Sequence, residues 1–128
     1  MKIRMLMIAG AALSLAGAAH ADGDAKAGAT VFKKCMACHT ATEAKNKVGP
    51  ALVGVVGRKV ATEAGFKYSP AMIEYGADGK VWDEANLTAY LADPKKAVPK
   101  NKMAFVGLKK PEDIVNVITY LKDPSKAK

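Results

Sequence analysis

The sequence is poor in long apolar runs, aromatic residues and metal-binding side chains. Its N-terminal uncharged run, residues 5–19, is shorter than the roughly 20 apolar residues that a membrane-spanning helix needs. Aromatic residues make up 6% of the chain, so a domain of this size has only an ordinary apolar core unless a cofactor enlarges it. No internal repeat or low-complexity tract is present. These absences favour one small monomeric domain without stable membrane insertion.

The N-terminus has the pattern of an export signal. Lys2 and Arg4 precede the uncharged run, and Ala19-His20-Ala21 offers the small residues that a signal peptidase recognises. We therefore expect residues 1–21 to be a cleavable signal peptide, residues 22–128 to form the mature domain, and the protein to reside in the periplasm. Retention of the segment is the alternative. Its removal leaves 107 residues with a net charge of +6, because it carries two basic side chains and no acidic one.

Lysines supply most of the positive charge, and they fall in clusters along the chain. Such a surface either keeps a protein soluble or attracts acidic partners, chiefly by raising the encounter rate. Nucleic acid is another acidic partner to consider, and export argues against it. We expect the lysines that dock acidic proteins to be Lys33, Lys34, Lys47, Lys95, Lys96, Lys102 and Lys109.

The residues with the most specific chemistry are Cys35-Met36-Ala37-Cys38-His39. Two thiols three positions apart, followed at once by an imidazole, is the spacing that attaches a c-type haem. On one helical turn, both sulfur atoms can reach the vinyl groups along one side of a porphyrin, and the imidazole is then aimed at the iron. The motif predicts one haem c bound covalently by Cys35 and Cys38, with His39 as an axial ligand of the iron.

Three other kinds of site use cysteine pairs, and each fits this chain less well. A thioredoxin-like pair follows a strand in a βαβ unit, and no Val/Ile-rich strand precedes Cys35. A structural zinc site normally needs four ligands, whereas the chain has two cysteines and two histidines, of which His20 lies in the predicted signal peptide. A plain disulfide is compatible with export, but it leaves the adjacent His39 without a role.

Three helical patterns, separated by loops rich in glycine and proline, predict an all-α fold. Each pattern has an aspartate or a proline near its first turn and a proline or a break after its last. The patterns run from Asp22 or Asp24 to about Lys34, from Asp83 to Asp93-Pro94, and from Pro111 to the residue before Pro124.

Residues 48–75 contain too many Gly and Pro breaks for a regular element, and we expect them to be loop. That is long for a structureless connection in so small a domain, unless the loop packs on a large prosthetic group. Strand-like residues are confined to short runs such as 52–56.

The second axial position of the iron separates an electron carrier from an oxygen-binding protein or a peroxidase. Met36 lies inside the attachment turn and His20 leaves with the signal, so Met72 and Met103 remain as candidate ligands. Met103 is favoured, because it lies beyond the second helix in a loop that can wrap around the porphyrin. Two protein ligands predict a one-electron carrier and not an enzyme. An open-site haem protein with peroxidase-like or gas-binding activity is the alternative.

At this point the chain resembles class I cytochromes c, and within them the small soluble carriers similar to bacterial cytochrome c2 and mitochondrial cytochrome c. The resemblance covers essentially the whole expected mature chain. It rests on Gly28 and Phe32 before the haem motif, then Gly49-Pro50-Ala51-Leu52, Gly57-Arg58-Lys59, Gly65-Phe66-Lys67-Tyr68, Trp82, Tyr90-Leu91, Asp93-Pro94-Lys95-Lys96, Lys102-Met103 and Tyr120-Leu121-Lys122.

The resemblance implies a small cytochrome c fold, with helices and long loops wrapped around one haem c, in which Gly28 and Phe32 mark a crossing of the first helix with the last. It implies that the carbonyl of Pro50 accepts a hydrogen bond from the His39 ring. Further implied residues of the haem environment are Arg58, Tyr68 and Trp82 near a buried propionate and Tyr90 near the methionine sulfur.

Two departures from the family pattern affect the haem environment. Lys100-Asn101 stands where many relatives carry Gly-Thr, so an amide replaces the threonine hydroxyl expected beside the buried propionate. The stretch from Ser69 to Val81 is somewhat longer than in mitochondrial members.

The implied partners are acidic surfaces of redox proteins in a respiratory or photosynthetic chain. A cytochrome bc1-type complex, a terminal oxidase, a reaction centre or a periplasmic dehydrogenase would each fit this description.

Overall fold

The computed structural model describes residues 23–128, so the predicted signal peptide and the candidate helix cap Asp22 lie outside the described residues. The described part is helical, which confirms the all-α prediction. Its β-pairing is limited to one isolated bridge between Lys59 and Val81, so the strand-like run 52–56 forms no strand. The helices are α1 (Ala25–Phe32), α2 (Pro70–Tyr75), α3 (Glu84–Ala92), α4 (Pro94–Ala97) and α5 (Pro111–Lys122), followed by a 3₁₀ turn at Pro124–Ala127.

The predicted start signals of the long helices are confirmed. The Asp24 carboxylate accepts hydrogen bonds from the backbone N–H groups of Lys26 and Ala27, at 2.8 and 3.3 Å. The Asp83 carboxylate accepts one from the N–H of Asn86, at 2.8 Å. Each carboxylate satisfies backbone donors that the first helical turn leaves without partners.

Two short helices lie where the sequence predicted loop or a helix end. The expectation of loop throughout residues 48–75 is wrong for α2, because Ser69 accepts a hydrogen bond from the N–H of Met72 at 3.2 Å and Pro70 occupies the first helical position. Likewise, Pro94 ends α3 and also begins α4, which Asp93 caps through the N–H of Lys96. The N–H of the first helical residue has no acceptor within the helix, so the lack of this N–H in proline costs nothing there. A proline can therefore begin a helix as well as end one.

The terminal helices α1 and α5 cross in direct backbone contact. A Cβ atom added at Gly28 would lie 1.9 Å from the carbonyl oxygen of Asn116, so only glycine permits this approach. The rings of Phe32 and Tyr120 pack beside the crossing, with centroids 5.3 Å apart. The predicted role of Gly28 and Phe32 at a helix crossing is confirmed.

One apolar cluster joins this crossing to the rest of the fold. It includes Phe32 of α1, Leu87 of α3 and Ile118 of α5, and Cys35 and Met103 pack against it while partly buried. The cluster therefore links the first helix, the attachment motif and the methionine loop. Within residues 23–128, no helix is long and apolar enough to cross a membrane.

Candidate haem site

Cys35 and Cys38 lie on one turn that continues from the end of α1. The N–H groups of Cys38 and His39 both donate to the carbonyl of Cys35, at 3.1 and 2.9 Å. Both cysteines are free thiols of intermediate exposure. Burial raises the pKa of the Cys35 thiol, and the nearby ammonium of Lys34 opposes part of that rise. The turn presents two unpaired thiols next to an imidazole, as covalent attachment of a haem requires.

The His39 ring is oriented by the backbone of the following loop. Its Nδ1 lies 2.8 Å from the carbonyl oxygen of Pro50. Because a carbonyl only accepts, Nδ1 carries the proton and Nε2 keeps the lone pair that binds a metal. Burial lowers the pKa of His39, the Pro50 bond raises it, and the charge of Lys47 lowers it further. The net effect favours the neutral imidazole, which is the form that ligates iron.

Gly49 packs against the face of this imidazole, a contact that the sequence did not reveal. A Cβ atom added at Gly49 would lie 2.2 Å from His39 Cε1 and 2.7 Å from Nδ1. The Gly49 N–H also donates to the carbonyl of Cys38 at 2.9 Å. The main chain therefore closes directly on the ring, and any side chain at position 49 would push the imidazole away.

Arg58 is held by the chain on one side and has an unused donor on the other. Its Nη1 donates to the carbonyls of Ala51 and Val53, at 3.0 and 3.3 Å, and to a Glu63 carboxylate oxygen at 2.6 Å. Its Nε is buried, with no hydrogen-bond partner among the described residues. Such an orphaned donor fits a buried anionic group such as a haem propionate. The sequence did not predict Glu63, which shares the guanidinium.

Tyr68 belongs to the same polar group. Its hydroxyl oxygen accepts a hydrogen bond from the backbone N–H of Glu63 at 3.0 Å, and its ring packs edge-on against Phe66 at 4.9 Å. Tyr68 also shares the lining of a concavity of about 770 Å³ with Lys102. A predicted residue of the haem environment and a predicted docking lysine therefore line the same concavity.

A row of three aromatic rings leads to the sulfur of Met103. Trp82 packs between Tyr75 and Tyr90, with centroid distances of 5.7 and 5.0 Å. The Tyr90 hydroxyl donates to Met103 Sδ at 3.8 Å. Burial raises the pKa of Tyr90 to about 12, so the phenol keeps its proton and remains a donor. The predicted proximity of Tyr90 to the methionine sulfur is present in the structure.

Asn101 makes three hydrogen bonds within the loop that carries Met103. Its Nδ2 donates to the carbonyls of Pro94 and Val98, both at 2.8 Å. Its Oδ1 accepts from the backbone N–H of Met103 at 2.9 Å. Both amide hydrogens are engaged by carbonyls, so the contacts of Asn101 are with the loop itself.

The seven predicted docking lysines are all exposed, and two of them also bind the backbone. Lys47 Nζ donates to the carbonyl of Met36, inside the attachment motif, at 2.7 Å. Lys109 Nζ donates to the carbonyls of Ala92 and Val106, at 3.2 and 3.0 Å. Because Ala92 is the last residue of α3, this ammonium lies at the negative end of the helix.

The donor set also bears on the zinc alternative. Within residues 23–128, no three His, Cys, Asp or Glu side chains lie close enough together to hold a metal ion. Two thiols, one oriented imidazole, a thioether and an orphaned guanidinium donor instead fit a haem, which needs axial ligands on the iron and donors for its propionates.

Comparisons with known proteins agree with this geometry. A family model described as cytochrome c matches residues 25–124. The chain is 54% identical over 99 residues to cytochrome c2 iso-2 of Magnetospirillum molischianum, which covers 77% of this chain and 96% of that protein. It is 46% identical over 122 residues to cytochrome c2 of Rhodomicrobium vannielii, covering 94% of this chain and 95% of that protein. The solved structure of cytochrome cH from Methylobacterium extorquens superposes with a TM-score of 0.72 at 46% identity, covering 78% of this chain and 98% of that one.

The matched range extends from the first residue of α1 to the first residue of the 3₁₀ turn. It includes the thiols, the imidazole, the aromatic row and the methionine loop. The resemblance and the fold predicted from the sequence are confirmed, and an open-site haem protein is not favoured. The chain belongs to the cytochrome c family and is a c-type electron carrier with one covalently attached haem, not an enzyme.

Proposed function

We propose that this carrier attaches its haem through Cys35 and Cys38 and ligates the iron with His39 and Met103. The observation that carries the proposal is the hydrogen bond from the Tyr90 hydroxyl to Met103 Sδ. It directs the sulfur of Met103 towards the aromatic row. The other candidate ligand, Met72, lies in the first turn of α2, and none of the residues 23–128 donates a hydrogen bond to its sulfur.

The haem iron supplies one-electron chemistry, and the protein residues set the conditions for it. With Pro50 holding Nδ1, the His39 ring would present Nε2 to the iron in a fixed orientation, and the hydrogen bond would strengthen this donor. The thioether of Met103 would be a soft ligand that favours ferrous over ferric iron and so raises the reduction potential. With His39 and Met103 both bound, the protein would keep substrates from the iron, and the two side chains would need little movement when the oxidation state changes.

An absorption spectrum with a ligand challenge tests the axial assignment. The oxidised protein should show the weak long-wavelength band of a thioether bound to ferric iron, and the reduced protein should not bind carbon monoxide. Met103→Ala should abolish the band and bind carbon monoxide readily. Met72→Ala is the matched control, and it should retain the band and exclude carbon monoxide. Retention of the band in Met103→Ala, or its loss in Met72→Ala, would remove Met103 from the iron.

We also propose that the protein works in the periplasm after removal of residues 1–21. The support is the N-terminal pattern of two basic residues, an uncharged run and an Ala-His-Ala site. Intact mass and N-terminal sequencing of protein purified from its source should give a chain that starts at Asp22. A chain that begins at Met1 would contradict the proposal.

For partners, we propose acidic redox proteins that dock on the exposed lysines, with no role for nucleic acid. The donor would be a cytochrome bc1-type complex, and the partner at the other end would be a terminal oxidase, a reaction centre or a periplasmic dehydrogenase. The chain would act as a monomer. The support is the positive charge, the exposure of all seven lysines and the concavity that Lys102 and Tyr68 both line.

Charge reversal at matched lysines tests this docking surface. Lys102→Glu should slow electron transfer with an acidic partner by about tenfold at low salt, because steering by exposed charges controls the encounter rate. Lys126→Glu makes the same charge change in the 3₁₀ turn and should have a much smaller effect. Both rates should converge as salt screens the charges. Equal effects of the two variants would contradict a localised docking surface.

A further inference from the structure

The chain between α4 and Met103 turns sharply at a residue that is unfavourable for the turn. The N–H of Asn101 donates to the carbonyl of Val98 at 3.1 Å, with Pro99 and Lys100 between them. Lys100 has a φ of +67°. Proline followed by a residue of positive φ is the pattern of a type II turn, in which the third position is normally glycine. Lysine in this conformation is strained, so another contact must hold the turn closed.

The side chain of Asn101 provides that contact from inside the turn. It is 9% exposed and is the buried polar side chain of the described core. Its two N–H donors bind the carbonyls of Pro94 and Val98, and its oxygen binds the N–H of Met103. The orientation of the amide follows from these partners, because two carbonyls demand the NH₂ end and one N–H demands the oxygen.

Pro94 gives this network a rigid anchor. It is among the largest fully buried side chains of the described residues, and it is the first residue of α4. Asn101 therefore connects the start of a helix, both ends of the strained turn and the backbone of the methionine. Among the described residues, no other side chain makes a hydrogen bond to the backbone of Met103.

We propose that Asn101 is a positioning residue that holds Met103 in its place beside Tyr90. The proposal rests on the proposed role of Met103 as an iron ligand. Asn101 acts through the backbone and touches neither the sulfur nor the iron. Its removal leaves the Met103 N–H without its acceptor, whereas the carbonyls of Pro94 and Val98 keep only their backbone donors, the N–H groups of Val98 and Asn101. The loop therefore loosens locally before the rest of the fold is affected.

Three substitutions at position 101 separate the two kinds of hydrogen bond. Asn101→Ala removes all three bonds, and Asn101→Asp keeps an acceptor but loses both donors. Asn101→Thr offers one donor and one acceptor, and it retains the loop if the other variants fold poorly. The matched control is Asn86→Ala, which removes an amide bond of 2.8 Å to the carbonyl of Val81 in the first turn of α3, away from the methionine loop.

Amide hydrogen exchange at Met103 and the thioether band of the oxidised holoprotein are the readouts. Asn101→Ala should speed exchange at Met103 by about tenfold, because a lost hydrogen bond lowers the local opening energy. Asn101→Asp should speed it less, because a carboxylate oxygen still accepts from the Met103 N–H. Both should weaken the band and admit carbon monoxide, with Asn101→Thr intermediate. Asn86→Ala should leave both readouts at parental values.

The results for the ligand and for its positioning residue are distinguishable. If the parent shows the band and Asn101→Ala keeps both the band and parental exchange at Met103, the role of Asn101 is overturned while Met103 remains the ligand. If the parent lacks the band, the assignment of Met103 as a ligand fails. Faster exchange at Met103 in Asn101→Ala would then still support the role of Asn101 in positioning the loop.

Discussion

The two halves of the candidate haem site are built in opposite ways. On the His39 side, the thiols, the ring, the packed Gly49 and the Pro50 carbonyl all lie within residues 35–50, and the backbone makes the decisive contacts. On the Met103 side, the contacts come from the Tyr90 phenol and the Asn101 amide. Backbone packing leaves no room for added volume, whereas side-chain hydrogen bonds can be weakened one at a time. Single substitutions on the His39 side should therefore cause large losses of stability and haem binding, whereas those on the Met103 side should cause smaller, graded losses.

The largest effect is expected for Gly49→Ala. The added methyl would lie 2.2 Å from the His39 ring, so either the imidazole or the loop must move. We expect a loss of about 3 kcal/mol in the free energy of unfolding, typical of severe overpacking, together with a lower ratio of haem to polypeptide. Denaturant titration and the haem absorbance measure the two quantities.

Gly54→Ala is the control for this substitution. Gly54 has a φ of +68°, and among the described residues no heavy atom beyond Gly54 and its two chain neighbours lies within 4 Å of an added Cβ. Only backbone strain opposes the change, so the expected loss is about 1 kcal/mol, without any effect on haem content. Equal losses for the two variants would mean that close packing on the His39 ring is not decisive.

Tyr90→Phe probes the Met103 side through its pH dependence. The phenol has a pKa of about 12 in the folded protein against 10.0 for an unperturbed tyrosine. The unfolded chain therefore loses this proton first, and the protein should lose about 2 kcal/mol of stability between pH 10 and pH 12. Tyr90→Phe lacks this contribution. It should be about 1 kcal/mol less stable than the parent at neutral pH, and that deficit should shrink or reverse at high pH.

Denaturant midpoints at pH 7 and pH 11 check this expectation. The band of the oxidised protein should persist in Tyr90→Phe, because the phenol assists the sulfur and does not hold the loop. A parallel decline of parent and variant with pH would show that the phenol titrates equally in both states of the chain.

The smallest effect is expected for Lys100→Gly. Glycine relieves the left-handed strain at φ +67° but adds flexibility to the unfolded chain, so a net gain of about 0.5 kcal/mol is expected. Exchange at the Met103 amide should slow. Ala61→Gly is the control, because Ala61 has a φ of +60° in a different turn and should give a similar gain with no change at Met103. A lower free energy of unfolding in Lys100→Gly than in the parent would contradict backbone strain at Lys100.

The sequence predicted that Cys35, Cys38 and His39 lie together on one turn, because the determinants of that turn are local. Two cysteines and a histidine in five consecutive residues specify their own geometry once they lie on one turn. The caps Asp24 and Asp83 were equally readable, since each binds N–H groups two or three positions ahead. By contrast, α2 was missed because Ser69-Pro70 was interpreted as a break, although serine and proline also start helices.

The Met103 side could be predicted only in outline. Elimination among the methionines and the family resemblance favoured Met103, but nothing in the spacing indicated that Asn101 binds Pro94, seven residues earlier. Glu63 was also missed. The sequence analysis placed Arg58 near a haem propionate and did not predict that Arg58 forms an ion pair with Glu63. Contacts of this kind depend on the conformation of the loops. Loops have no hydrophobic periodicity, so the sequence does not predict which of their residues meet.

The crossing of α1 and α5 also has a consequence for the order of folding. The carbonyl of Asn116 that contacts Gly28, and the Asn116 amide that binds the N–H of Asp24 across a sequence separation of 92, become available only when nearly the whole chain has been made. The chain loses the entropy of closing this long loop before the contacts between α1 and α5 can stabilise it. The attachment motif, which directly follows α1, is therefore synthesised early and enclosed late. During that interval its two thiols would be open to the proposed reaction with haem.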